Sequence, residues 1–242
     1  MKNLPYRLTE TQRRLLGLIV LQTDETVESD CRQLFSANPT VNLLHTRIAV
    51  NDIVSVDNLV AMKTHLTEAL ALFPEGKAFD AIGYACTSAA AVIGEAEVER
   101  LIKNAVNTAF VTNPLTAAKA ALAHLQAKRI AYLSPYTENI SLMMCQALTT
   151  SGLEIVAAGT FNQHSDKKVA AIDAPSICRA VEELTRKTAV DVVFISCTNL
   201  QCMDVIQFCQ KQFKTTVLSS NLVLIWHLAK LSGSTLPKLC QF

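Results

Sequence analysis

Asp80-Ala-Ile-Gly-Tyr-Ala-Cys86-Thr-Ser88 and Asp191-Val-Val-Phe-Ile-Ser-Cys197-Thr-Asn199 are the two stretches on which the fold turns. Each has an aspartate, five residues, then Cys-Thr and a small polar side chain. Short apolar runs like these read as strands buried on both faces. Each stretch follows one helical pattern and precedes another. The repetition implies two similar α/β halves, each presenting Cys-Thr at the carboxyl end of a strand. That end is where open α/β sheets bind ligands. Two such halves facing each other place both thiols in one cleft.

The alternation continues outward from the repeat. Strands are predicted at Leu16–Leu21, Val41–Ile48, Ala81–Ala85, Ala109–Thr112, Arg129–Leu133, Leu153–Ala158, Val190–Ser196 and Thr216–Leu218. Helices are predicted at Asp57–Phe73, Glu95–Asn107, Thr116–Ala127, Ile140–Thr149, Pro175–Lys187, Met203–Phe213 and Asn221–Leu231. In the first of these, Leu59, Met62, Leu66, Leu70 and Phe73 recur at spacings of three and four. Apolar strands separated by helices argue for parallel sheets covered on both faces, an α/β class. We expect an N-terminal α/β domain over 1–112, completed by 217–242, and a C-terminal α/β domain over 113–216.

Composition narrows the function. The 242 residues are enough for a sizeable core; 50% are hydrophobic and 18% charged, as in an ordinary globular protein. A formal net charge of +1 leaves no broad electrostatic footprint for nucleic acid or an anionic membrane. No apolar run approaches a membrane span. Leu15–Leu21 after Arg13 and Arg14 is too short for a signal peptide and is followed by polar Gln22-Thr23-Asp24-Glu25, so it reads as a first strand. Eight cysteines in a chain this long, without an export signal, fit a reducing cytoplasm better than a disulfide framework. Cys145, Cys178, Cys202, Cys209 and Cys240 read as structural thiols. Neither Cys-x-x-Cys nor histidines at ligand spacing occur, so no metal is expected. Gly-x-Gly-x-x-Gly, a phosphate-binding loop and a Gly-x-Ser-x-Gly elbow are also missing, and no nucleotide cofactor is expected.

The strand-end position has chemical consequences. A thiol just before a helix sits near free N–H groups and the positive end of the helix dipole, which favours thiolate. The same N–H groups, with Thr87, Ser88, Thr198 and Asn199, form a candidate site for a carboxylate. Two thiols about a small acid can move protons on opposite faces, or one can attack carbon while the other protonates its neighbour. Cys86 and Cys197 are therefore the candidate catalytic pair. Asp80 and Asp191 lie at the opposite strand ends and suit loop hydrogen bonds.

These residues carry a resemblance. Tyr84-Ala-Cys-Thr-Ser88 and Ser196-Cys-Thr-Asn-Leu200 resemble the paired cysteine motifs of the aspartate/glutamate racemase superfamily. The closer similarity is to its maleate cis-trans isomerase branch, which includes arylmalonate decarboxylases. Leu16–Val20 followed by Thr23–Glu28, Leu133-Ser-Pro-Tyr136, and Ser219-Ser-Asn221 before a Trp-containing helix resemble further motifs of that branch, in order, over nearly the whole chain. The resemblance implies two Rossmann-like domains related by pseudo-twofold symmetry, an active site between them, no cofactor and a homo-oligomer, a dimer or larger. It also implies Cys86 as nucleophile, Cys197 as acid/base and Tyr136 as a hydrogen-bond donor to a substrate carboxylate. Retention of Cys86 argues against decarboxylation, which in this branch uses only the second cysteine. The amino-acid racemases carry Cys-Asn-Thr in the first half and Cys-Thr-His in the second; Cys86-Thr-Ser88 and Cys197-Thr-Asn199 have neither that Asn nor that His, which weakens an aspartate or glutamate racemase.

Maleate isomerases usually place an Asn in the opening loop, to bind a substrate carboxylate; the matching residue here is Asp24. A carboxylate facing a carboxylate is repulsive unless one is protonated or a cation intervenes. Asp24 therefore suits either an amide or amine on the substrate, or a loop-capping role. The family also has an Asn near the segment that here reads His164-Ser-Asp-Lys167. The expectation is a two-cysteine isomerase or racemase of a small carboxylic acid, with amino-acid or hydantoin racemisation as the alternative. A non-catalytic small-carboxylate binding protein is the competing class.

Overall fold

In the computed structural model, the described residues are 1–8, 13–36, 38–149, 152–236 and 238–242. The first sheet holds β1 (Arg14–Leu21), β2 (Val41–Ile48), β3 (Phe79–Ala85) and β4 (Thr108–Thr112), in the order β2-β1-β3-β4. The second holds β5 (Arg129–Ser134), β6 (Glu154–Thr160), β7 (Val192–Ile195) and β8 (Thr216–Ser219), in the order β6-β5-β7-β8. Every ladder in both sheets is parallel. Adding four to each index of the first sheet produces the second, so the repeated cysteine motif is the local trace of a repeated half.

The helices are α1 (Val27–Phe35), α2 (Val56–Leu70), α3 (Thr87–Ile93), α4 (Glu95–Ala105), α5 (Pro114–His124), α6 (Glu138–Thr149), α7 (Asp166–Ala170), α8 (Ala174–Thr185), α9 (Met203–Phe213) and α10 (Ser220–Ser232). Helix α5 begins earlier than its periodicity predicts. Asn113 accepts from Leu115 N and Thr116 N, and Pro114, which has no N–H to satisfy, fits the first turn. Helices α1, α3 and α7 were not foreseen. None is longer than nine residues, too short for a periodic pattern to stand out. Among the described residues, no helix is long and apolar enough to cross a membrane.

The two motif aspartates do the same job in each half. Asp80 accepts from Leu15 N at 2.8 Å and pairs with Arg14. Asp191 accepts from Lys128 N and Arg129 N, both at 2.8 Å. Each thus anchors the start of the adjacent central strand, β1 or β5, as loop hydrogen bonding predicted.

Helix α10 joins the halves. The expected boundary at 216/217 falls inside β8, which pairs with β7 from Val192↔Thr216 to Ile195↔Ser219. The chain returns to the first half only with α10, which packs on α5 and β3. Close packing there needs Gly83 in β3: a Cβ on it would lie 3.1 Å from the side chains of Leu18 and Leu228. Trp226, the largest residue of α10, is 2% exposed.

Candidate active site

Cys86 caps α3. Its backbone is extended, and its Sγ accepts from Ala89 N at 3.4 Å and lies 3.7 Å from Ser88 Oγ. Cys197 is held differently. Strand β7 ends at Ile195 and α9 does not begin until Met203, so Cys197 caps no helix as Cys86 does. The helix expected directly after each cysteine exists at Cys86 alone; beside Cys197 lies the start of α10, at Ser220. Cys197 has φ = 103°, a conformation that L side chains avoid, and its N–H donates to Ser220 Oγ at 3.0 Å.

The polar neighbours of the two cysteines lace the halves together. Thr87 Oγ1 shares a 2.9 Å hydrogen bond with Ser220 Oγ, so one serine links the first motif to the backbone of the second. Thr198 Oγ1 donates to Ala85 O at 3.2 Å, one residue before Cys86. Asn199 Oδ1 accepts from Glu25 N, and its Nδ2 donates to Thr23 O and Asp166 O. Thr87, Thr198 and Asn199 do line the cavity, but these side chains already spend hydrogen bonds on the protein. Ser88 keeps only its weak contact with Cys86.

Asp24 divides its two oxygens. Oδ1 accepts from Thr26 N at 2.8 Å and Val27 N at 2.9 Å, capping the entry to α1. Oδ2 is buried without a partner. Arg47 holds the same loop from outside, donating to the carbonyls of Leu21, Gln22 and Asp24 and pairing with Glu28. Asn221 braces the cysteine loop from behind: its Nδ2 donates to Thr198 O and to Asp30 Oδ2.

Cys86, Cys197, Asp24, Thr87, Ser88, Tyr136, Thr198 and Asn199 all line one cavity of about 30 Å3. That is room for about two waters. Two loops close it. Ile53 and Ser165 form an antiparallel bridge, Val54 N donates to His164 O, and Asp52 accepts from Ser165 Oγ and Lys167 N. The bridge brings in a residue that the sequence reading did not select, Asp166. It lines the cavity and accepts from Thr23 Oγ1 at 2.5 Å. The resemblance put a family asparagine only near this segment, and local pattern could not bring Asp166 into the same cavity as Asp24.

Burial dominates the electrostatics. It pushes the Cys86 thiol up to about 12, and the Ala89 N–H and Ser88 hydroxyl only partly oppose it. Cys197 is raised well above the ordinary thiol range for the same reason, against hydrogen bonds from the Asn199 N–H and Tyr136. The expected thiolate stabilisation is thus reversed: desolvation outweighs one helix N-terminus, and nearby Asp166 and Asp24 add like charge. Burial also raises Asp24, and lifts Asp166 to about 6.

Known proteins share this architecture. A maleate isomerase of Nocardia farcinica is 24% identical over 216 residues, covering 86% of this chain and 85% of its own. A maleate cis-trans isomerase structure from that organism, with a covalently bound succinylcysteine intermediate, superposes with a TM-score of 0.82 at 21% identity, over 94% of this chain and 98% of that one. The maleate isomerase of Pseudomonas putida S16, with maleate, also reaches 0.82, at 18% identity over 91% and 92% of the two chains. An arylmalonate decarboxylase structure reaches 0.72 at 15% identity, over 93% and 98%. The arylmalonate decarboxylase family model matches residues 16–238, from the first core strand to beyond α10, and by that match the chain belongs to the arylmalonate decarboxylase family.

Proposed function

We propose that this chain is a cofactor-independent isomerase of a small unsaturated carboxylic acid, with Cys86 as nucleophile and Cys197 as proton donor and acceptor. The observation that carries the reading is the single closed cavity holding both thiols, braced across the halves by Ser220 and Thr198. The succinylcysteine intermediate in the Nocardia relative supports covalent chemistry at a cysteine.

Burial raises both thiols, so Cys86 and Cys197 start neutral at pH 7. Opening the bridge between Ile53 and Ser165 admits water and substrate, and Cys86 loses its proton to solvent. The Ala89 N–H and the Ser88 hydroxyl then steady the sulfur. The Cys86 thiolate adds to one alkene carbon, and the π pair moves to the neighbouring carbon. That carbon takes the proton of Cys197, which becomes thiolate. Rotation about the new single bond follows. Cys197 takes the proton back, the C–S bond breaks, and the trans alkene leaves with the Cys86 thiolate restored.

The test is proton NMR in heavy water on maleate and maleamate, together with amino-acid and hydantoin enantiomers. The expected result is cis-to-trans conversion by the wild type, lost in both Cys86→Ala and Cys197→Ala. A wild type that isomerises nothing and exchanges no substrate proton refutes the reading. Exchange on a saturated enantiomer without alkene conversion replaces isomerisation by racemisation.

A further inference from the structure

The cavity walls are acidic, and nothing in them answers a second negative charge. Among the described residues that line the cavity, two are carboxylates, Asp24 and Asp166, and none is Lys, Arg or His. Arg47, whose charge is felt at Asp24, does not line the cavity and is engaged with backbone carbonyls and Glu28. A diacid would bring two more charges to a site without a cation.

Asp24 is the more informative of the two. It is 2% exposed, and Oδ1 is fully used by the N–H groups of Thr26 and Val27. Oδ2 has no hydrogen-bond partner, and Asp24 lines the cavity. The Thr198 hydroxyl lies close to this carboxylate, but its hydrogen bond in this structure is to Ala85 O. A buried acceptor left open toward a cavity costs free energy until a donor reaches it. No hydrogen bond from the protein reaches Oδ2 in this structure, which leaves that acceptor for a ligand donor.

We infer that the substrate carries an N–H donor, an amide or ammonium, at the end that meets Asp24 Oδ2, and a carboxyl group at no more than the other end. This rests on the isomerase reading for the chemistry but not for the recognition. A neutral amide meets Oδ2 with an N–H and brings no repulsive charge. An ammonium adds charge attraction to Asp24 and Asp166. Maleate, with oxygen at both ends and two charges, does neither.

The experiment measures binding in the Cys86→Ser/Cys197→Ser protein, where turnover cannot interfere. Calorimetry compares maleamate, 4-aminobutanoate and maleate. Maleamate differs from maleate by one amide, and 4-aminobutanoate supplies the ammonium arm. We expect at least one of the two nitrogen ligands to bind about tenfold or more tighter than maleate, the size of a hydrogen bond to a charged group. Adding Asp24→Asn to that protein keeps the Oδ1 cap, so the loop fold is retained, and is expected to shift preference toward maleate by at least as much. Tighter binding of maleate before that change overturns the inference. So does a preference unmoved by Asp24→Asn, or no binding of either nitrogen ligand at millimolar concentration. Because the serine protein has no thiol chemistry, these results stand whether or not Cys86 and Cys197 catalyse isomerisation.

Discussion

Ser220→Ala strikes the one side chain that both cysteine motifs share. Ser220 is fully buried; its Oγ takes the Cys197 N–H at 3.0 Å and meets Thr87 Oγ1 at 2.9 Å. Removing that oxygen leaves a backbone N–H and a hydroxyl buried without a partner. Each such group costs about 1–3 kcal/mol, so the two together cost roughly 2–6 kcal/mol. In a protein of this size that lowers Tm by roughly 4–24 °C. The site suffers as well. Cys197 sits at φ = 103°, and a non-glycine residue stays there only when its surroundings hold it. Losing the Ser220 bond frees the backbone that aims the thiol. Differential scanning calorimetry measures the first effect, and amide hydrogen exchange at Cys197 measures the second without any need for a substrate. The control is Ser232→Ala on the same helix, whose hydroxyl bonds Ala229 O and Ser234. It is expected to leave Cys197 exchange unchanged. A Ser220→Ala protein with wild-type Tm and wild-type exchange at Cys197 would refute the argument that this serine couples the halves.

Three further outcomes follow from the closed cavity and its buried acids. With Cys86 at about 12, its thiolate fraction at neutral pH is about three orders of magnitude below that of an ordinary thiol, so iodoacetamide should label it slowly, with a rate still climbing past pH 9; levelling off below pH 8 contradicts the burial argument. Asp52→Ala removes the exposed acceptor that fastens Ser165 and Lys167, and should speed that labelling several-fold while changing stability by no more than about 1 kcal/mol, as expected of a surface carboxylate; unchanged labelling would mean that Asp52 does not latch the loops. Burial raises Asp30 from 3.8 to about 7, so its contribution to stability is full below about pH 4 and is lost as pH rises through 7. Between pH 5 and 8 the stability advantage of wild type over Asp30→Asn should therefore shrink by about 2–3 kcal/mol in urea titrations, and growth of that advantage would reverse the sign. Comparison with the variant cancels His227, whose folded value of about 4 makes stability rise with pH over the lower part of the range.

Much of this protein was legible in its sequence. Eight strands and seven of the helices announced themselves because their cause is local: apolar runs bounded by polar turns, and spacings of three and four. Met203–Phe213 and Val41–Ile48 were read to the residue for that reason. The repeat of Asp, five residues and Cys-Thr exposed the duplicated half and selected Cys86 and Cys197, because two copies of one pattern put two strand ends in corresponding places. The two motif aspartates were likewise placed at strand starts, with a hydrogen-bonding role, from position alone.

The work done by the polar residues was decided only in three dimensions. Thr198 bonds Ala85, Asn199 holds Glu25 and Asp166, and Ser220 ties Thr87 to Cys197; most of these partners lie more than a hundred residues apart, and no local period encodes them. The sign of the thiol shift was out of reach for a related reason. A helix N-terminus beside Cys86 can be read from the order of strand and helix, but desolvation depends on how completely the other half and the loops at Ile53 and Ser165 seal the cavity. Asp24 shows both levels at once. Its place in the opening loop could be read from the chain, and its Oδ1 cap on α1 is local, whereas the burial that leaves Oδ2 without a partner, in a cavity shared with Asp166 and both cysteines, exists only because the two halves close on each other.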